Sequence, residues 1–218
     1  PVMLYYDEVK HQYWWEENGE RTDLTSVTSK IHKAKKPFDS YSIAGALSKK
    51  NGRDQKDIVA EWKLKGDLAC DWGNAVHKSV ELYVRYGAEP KTRYLQGVIQ
   101  EYLKFGFVNP RAEVMTYDLE TQIAGRMDLV DGDGLINIRD IKTSSGIEEK
   151  KNDFHGVLSA HIKSKLDEYT LQLSLYAFIL KSRGHTIGEL SILEWDDGFR
   201  KLDVPYREDW VRLLLENY

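Results

Sequence analysis

The chain of 218 residues has a single cysteine, Cys70. One thiol excludes an intramolecular disulfide framework, a four-cysteine zinc site and an all-cysteine iron–sulfur cluster. Cys70 reads as a small buried or half-buried residue, in a cytoplasmic or other intracellular setting. No apolar run approaches the roughly 20 residues that span a bilayer, so no membrane partner is expected. The start, Pro1-Val2-Met3-Leu4-Tyr5, lacks the basic and long apolar regions of a signal peptide. Without an initiator Met, it reads as a processed or trimmed N-terminus. No Gly-Lys-Ser/Thr phosphate loop occurs, so a nucleotide-driven motor is not expected in the chain. Repeats, low-complexity tracts and long Pro/Gly/Ser linkers are missing too. The reading is therefore one domain over 1–218, divided into an N-terminal hairpin and basic helical region (1–70), a core (71–205) and a C-terminal helix (206–218).

What remains is a balanced composition, 41% hydrophobic and 30% charged, ordinary for a globular protein. The net charge of −4 hides an asymmetry. Residues 30–65 hold ten Lys/Arg against four Asp/Glu, a balance of +6 that leaves −10 for the rest. Local basic surface of this kind attracts phosphate even on an acidic chain. It also suits a plain solvated helical face.

Residues 4–6 and 11–16 read as strands, with a hairpin turn at Asn18-Gly19. A short helix opens at Thr25-Ser26-Val27-Thr28 and ends near Lys35-Lys36-Pro37. Helices follow over 39–50 and 54–70, broken at Asn51-Gly52, then over 73–86 and 91–106. The period then changes, and 112–118, 121–130 and 134–142 read as three successive strands. Residues 145–160 are polar and irregular, a length that points to a functional or disordered loop. A helix over 163–182, a hairpin of 189–195 and 199–204, and a helix over 206–217 complete an α/β pattern.

Acid-x-Lys occurs seven times, but only Asp140-Ile141-Lys142 ends an apolar strand behind a hairpin that carries another acid, Asp128. Residues two apart on a strand share a face, so Asp140 and Lys142 stand together. If the turn at 131–134 pairs the strands, Asp128 and Asp140 converge. Two carboxylates and an ammonium can bind a divalent metal, orient or deprotonate a water and offset developing charge at a phosphodiester. An edge-strand salt bridge uses the same residues. His77 and Glu81, and separately Gln172 and Tyr176, are i, i+4 pairs on helices. A buried Gln in the apolar run 171–180 needs a hydrogen-bond partner.

The set Gly73 to Glu81, Gly125-Arg126-Met127-Asp128, Asp140-Ile141-Lys142 and Gln172-Leu173-Ser174-Leu175-Tyr176 resembles the PD-(D/E)XK nuclease superfamily. It is most similar to the RecB-like branch, with its phage and mitochondrial-type exonucleases, over roughly residues 70–205. The resemblance implies a restriction-endonuclease-like fold, a mixed central sheet flanked by helices. It implies Mg²⁺ or Mn²⁺, held by His77, Asp128, Asp140 and the carbonyl of Ile141, with Lys142 as the catalytic lysine. Glu81 would support the site or a second metal. Gln172 and Tyr176 would brace it and contact DNA. Arg126 could touch phosphate, and Glu113 could be a further acidic member. Met127 stands where many relatives have proline.

The expected activity is a metal-dependent DNA exonuclease acting at ends or on single strands, in replication, recombination or repair, with a possible partner protein and a possible phage origin. Lys35, Lys36, Lys49 and Lys50, with Phe38, Tyr41 and Trp62, would bind the strand, and the loop 145–160 would gate or thread it. Alternatives are a structure-specific endonuclease of the same fold, an inactive nuclease-like DNA-binding subunit, and a hydrolase of small phosphoesters.

Overall fold

Asn18 and Gly19 both have positive φ, 52° and 85°, as the central residues of a type I′ hairpin turn require. They join β2 (Gln12–Glu17) to β3 (Glu20–Ser26), and β1 (Met3–Asp7) pairs with the far side of β2. The computed structural model describes residues 3–218. Pro1 and Val2, and with them part of the trimmed-start reading, lie outside the described residues.

Ser26 ends β3 and caps α1 (Val27–Lys33), its side chain accepting from the Ser29 N–H at 3.0 Å. Helix α2 (Ser40–Asn51) stops at Gly52, whose φ of 70° suits a left-handed cap. Helix α3 (Gln55–Tyr86) then runs without a break for 32 residues, about 48 Å at 1.5 Å per residue. This corrects the expected separate helices 54–70 and 73–86. Gly66 and Gly73 cost about 1 kcal/mol each in a helix and do not end this one. The boundary drawn after residue 70 therefore falls inside a helix. The C-terminal half of α3 packs Val76 and Val80 against Val98, Ile99 and Tyr102 of α4 (Arg93–Leu103). Its N-terminal half lies on α2 and is otherwise open, with Leu64 and Leu68 each 60% exposed. Cys70 sits on this open half and is exposed, contrary to the burial expected of a lone thiol.

The remaining strands are β4 (Arg111–Asp118), β5 (Ile123–Asp131), β6 (Ile136–Lys142), β7 (Ile187–Trp195) and β8 (Phe199–Val204). They join the hairpin in one mixed sheet, β1-β2-β3-β5-β6-β7-β8, with β4 beside β5. Only β3·β5 and β6·β7 are parallel. Helix α5 (Lys165–Ser182) has hydrophobic residues all round, as a core helix does. With α1 and α6 (Glu208–Asn217) it covers one part of the sheet, and α3 and α4 cover another. This is the α/β pattern that the residues led us to expect, built as the mixed sheet flanked by helices that the resemblance implied.

Strand β5 is shared unevenly. β4 follows one edge along its length. On the other edge β3 pairs only with Ile123 and Ala124, and β6 only with Leu129 to Asp131. Gly125 to Asp128 are left without a strand partner there, and the sheet opens at these four residues.

The stretch after β6 is not a free loop. Ile147, Phe154, Leu158 and Ile162 are fully buried, and single β-bridges tie Lys35 to Phe154 and Lys151 to Ser164. Apolar anchors spaced along a polar sequence sew 145–160 into the core. That corrects the expectation of a gating or threading loop. Among the described residues, no helix is long and apolar enough to cross a membrane.

Candidate active site

The gap in the sheet is filled by α5. A Cβ on Gly125 would lie 2.6 Å from Tyr176 Cε1 and 3.0 Å from Val27 Cγ2, so only glycine lets the Tyr176 ring in. The Tyr176 hydroxyl donates to the Arg126 carbonyl at 2.9 Å, partnering a strand group that lacks a neighbour. Burial first, and then Asp128 and Asp140, push the phenol pKa well above its ordinary value, so it stays a donor. One turn earlier, Gln172 Nε2 donates to Asp140 Oδ1 at 3.0 Å, fully buried. A buried hydrogen bond to a charged group is worth roughly 1.5–3 kcal/mol. That is why a polar residue is stable inside the apolar run of α5.

Asp128 and Asp140 converge across the opening. The Ile141 N–H donates to Asp128 Oδ2 at 2.8 Å, fastening the strand of one acid to the carboxylate of the other. His77, from the packed half of α3, brings Nδ1 to 3.4 Å from the same Oδ2. Lys142 Nζ lies 2.7 Å from Asp140 Oδ2, a close ion pair. The buried Asp140 carboxylate is thus held by Gln172 through one oxygen and by Lys142 through the other. Tyr169, one turn before Gln172, lies under the ammonium with its ring centroid 4.5 Å from Nζ.

The charges set one another. Burial would raise Asp128, but His77, Lys142 and the Ile141 N–H outweigh it and hold the carboxyl below its ordinary value. Burial raises Asp140, and the like charge of Asp128 adds to it against the pull of Lys142. Burial would lower His77, yet Asp128 beside it lifts the imidazole to about 9. Lys142, too, is raised against burial, by Asp140 and then Asp128.

A divalent cation suits this donor set. One donor atom each from His77, Glu113 and Asp128 lies within 4.8 Å of the others. Oxygen ligands with one imidazole match Mg²⁺ or, better, Mn²⁺. Asp140 stands outside that trio, turned to Gln172 and Lys142. Glu81 stands outside it as well, paired with Lys78 at 2.8 Å and Arg85 at 3.3 Å. Arg126 does not reach freely into solvent. Its Nε pairs with Glu113, its Nη1 lies 3.3 Å from Glu8, and its guanidinium stacks 4.9 Å from the Tyr6 ring. Glu113 itself has φ +55° in mid-strand, a conformation that costs a non-glycine residue about 1–3 kcal/mol.

The lysines expected on the strand path divide. Lys49 and Lys50 end α2 exposed to solvent. Lys36 is exposed but pairs with Asp153 at 2.9 Å. Lys35 is turned inward, 2.7 Å from the buried Glu168. Sequence reasoning missed Tyr169 and Tyr6. The first was signalled by its i−3 spacing from Gln172. Tyr6 of the hairpin carried no signal, because its place against Arg126 is made by the β3·β5 junction.

A profile of the PD-(D/E)XK nuclease superfamily matches residues 29–201. Among curated proteins, none matches the chain in sequence. Two solved structures are similar to it at a distance. One, named SSO0001, has 15% identity and a TM-score of 0.39, covering 93% of this chain and 75% of its own. The other, from Eubacterium rectale and described provisionally as an exonuclease, has 10% identity and a TM-score of 0.41, covering 89% and 78%. The family match spans the opened sheet, His77, both acids, Lys142 and the α5 pair, and the chain belongs to the PD-(D/E)XK nuclease superfamily.

Proposed function

We propose that the chain is a metal-dependent DNA exonuclease of the RecB-like kind, acting at DNA ends or on single strands. The observation that carries this reading is the convergence of Asp128, Asp140, Lys142 and His77 at the gap in β5. His77 and Asp128, with Asp140 and the Ile141 carbonyl, would hold Mg²⁺ or Mn²⁺. When bound, the ion polarises the scissile phosphate as a Lewis acid. Lys142 Nζ orients the attacking water and offsets charge that develops on the phosphate oxygens. Gln172 fixes the Asp140 carboxylate, and Tyr176 fixes the strand that bears Asp128. Burial of these groups strengthens each electrostatic contact relative to water. Lys49, Lys50 and Lys36, beside the exposed Phe38 and Tyr41, give the strand a basic and aromatic approach.

Time-resolved product lengths from end-labelled single- and double-stranded DNA, with Mn²⁺ or Mg²⁺, test the reading. An exonuclease releases mononucleotides or short products from the labelled end at the earliest times. Products of mid-length appearing first would make it a structure-specific endonuclease. No cleavage of any DNA would favour a binding subunit.

A further inference from the structure

Glu113 is the residue of this site that the expected ligand set leaves out. In the β4–β5 register, Ala112 pairs with Leu129 and Val114 with Met127, and the intervening pair, Glu113 with Asp128, is skipped. The positive φ of Glu113 breaks the ladder there and lets its side chain join Asp128. Its side chain is only 10% exposed, and Arg126 pairs with it. The Glu113 carboxylate, His77 and Asp128 present donor atoms within 4.8 Å of one another. An octahedral shell around Mg²⁺ or Mn²⁺ places adjacent ligands roughly 3 Å and opposite ones roughly 4.2 Å apart, so a small side-chain closure from within 4.8 Å brings the three onto one ion. Asp140 meanwhile is engaged by Gln172 and Lys142.

We infer that Glu113 is a ligand of the divalent cation beside His77 and Asp128, and that Arg126 is the counter-ion that occupies Glu113 until the cation does. The inference rests on the metal-dependent nuclease reading. Arg126 has a second resting place against Glu8 and Tyr6 of the N-terminal hairpin, so it can give up Glu113 without being stranded. The hairpin thereby touches the metal site through one side chain.

Mn²⁺ binding to the full chain, measured by calorimetry or by the EPR signal of free Mn²⁺, tests this without reference to cleavage. Glu113→Gln should weaken Mn²⁺ at least tenfold. Arg126→Gln, which removes the competitor and keeps the carboxylate, should tighten it severalfold. Asp128→Asn should abolish specific binding. Thermal unfolding in EDTA establishes that each variant is folded. If Glu113→Gln fails to fold, Arg126→Gln decides alone, and unchanged or weaker affinity overturns the inference. Wild-type affinity in Glu113→Gln beside loss in Asp128→Asn also overturns it, while the site reading stands. Wild-type affinity in Asp128→Asn as well would remove the site reading itself.

Discussion

Arg139 and Asp140 are neighbours on β6 and face opposite sides of the sheet, and both are almost wholly buried, 3% exposed each. Around Arg139 every charge is answered. Its Nε and Nη2 reach both oxygens of Asp131, its Nη1 reaches Glu189 and Ser191, and Asn137 donates to Asp131 at 2.6 Å. Phe107 stacks beneath the guanidinium, 5.0 Å from its centre. Around Asp140 the balance is less comfortable. Asp128, Asp140 and Glu113 crowd one end of the sheet against His77, Lys142 and Arg126, burial and the nearby Asp128 hold the Asp140 carboxyl above its ordinary value, and Glu113 keeps a costly backbone conformation. The Arg139 cluster is structural. The Asp140 cluster holds like charges together at a cost to stability, as sites of binding and chemistry do.

Substitution should separate the two sides of β6, with opposite signs. Arg139→Ala leaves Asp131 buried without its partner and should cost about 3–5 kcal/mol of stability, read by denaturant unfolding. Asp140→Asn removes a crowded charge and should leave the stability of the metal-free protein unchanged or raise it. Equal losses in both would erase the distinction. Gly125→Ala should come next. A Cβ 2.6 Å from the Tyr176 ring has to displace it, for about 1–3 kcal/mol, and nuclease activity should fall with the Tyr176–Arg126 bond.

Glu168 is a third buried charge, and it sorts with Arg139. Lys35 and Lys165 approach it at 2.7 Å, and Asn152 donates to it at 2.6 Å. Burial would raise its pKa, but those two lysines outweigh burial and lower it. A carboxyl depressed in the folded state contributes stability that is fully present above its unfolded pKa, about 4.3, and is lost as pH falls through the lower folded value. Melting temperature in metal-free buffer should therefore drop between about pH 4.5 and 3, and Glu168→Gln should flatten that limb. An unchanged slope in the variant would place the acid sensitivity in other carboxylates.

Much of this was legible from residues. Asp140-Ile141-Lys142, Asp128, His77 and the Gln172–Tyr176 pair each lay on the element that their periodicity indicated, because strand alternation and the helical i, i+4 rule are local. The hairpin turn at Asn18-Gly19 was equally plain. The strand behind it, Glu20 to Ser26, was not, since Glu-Arg-Thr-Asp carries little strand propensity and is held there by pairing with β2. Helix α3 read as two because the pattern falters at residues 71–72 beside Gly73, whereas the helix carries on through them. The inward turn of Lys35 and the clamp on Arg126 depend on Glu168 and Glu8, more than a hundred residues away in each case. Such partnerships have no sequence period and had to be seen.

The central claim is that the paired acids beside Lys142 form a phosphodiester-cleaving site. Degradation of end-labelled single-stranded DNA in Mn²⁺ should be abolished by EDTA and reduced by at least about 10³-fold in Asp140→Ala and in Lys142→Ala, the size expected when transition-state electrostatics are removed. Asp140→Ala should melt near the wild-type temperature, and Lys142→Ala, which leaves the buried Asp140 without its cation, should melt lower but stay folded at the assay temperature. Cleavage that survives both substitutions at the wild-type rate would contradict the account.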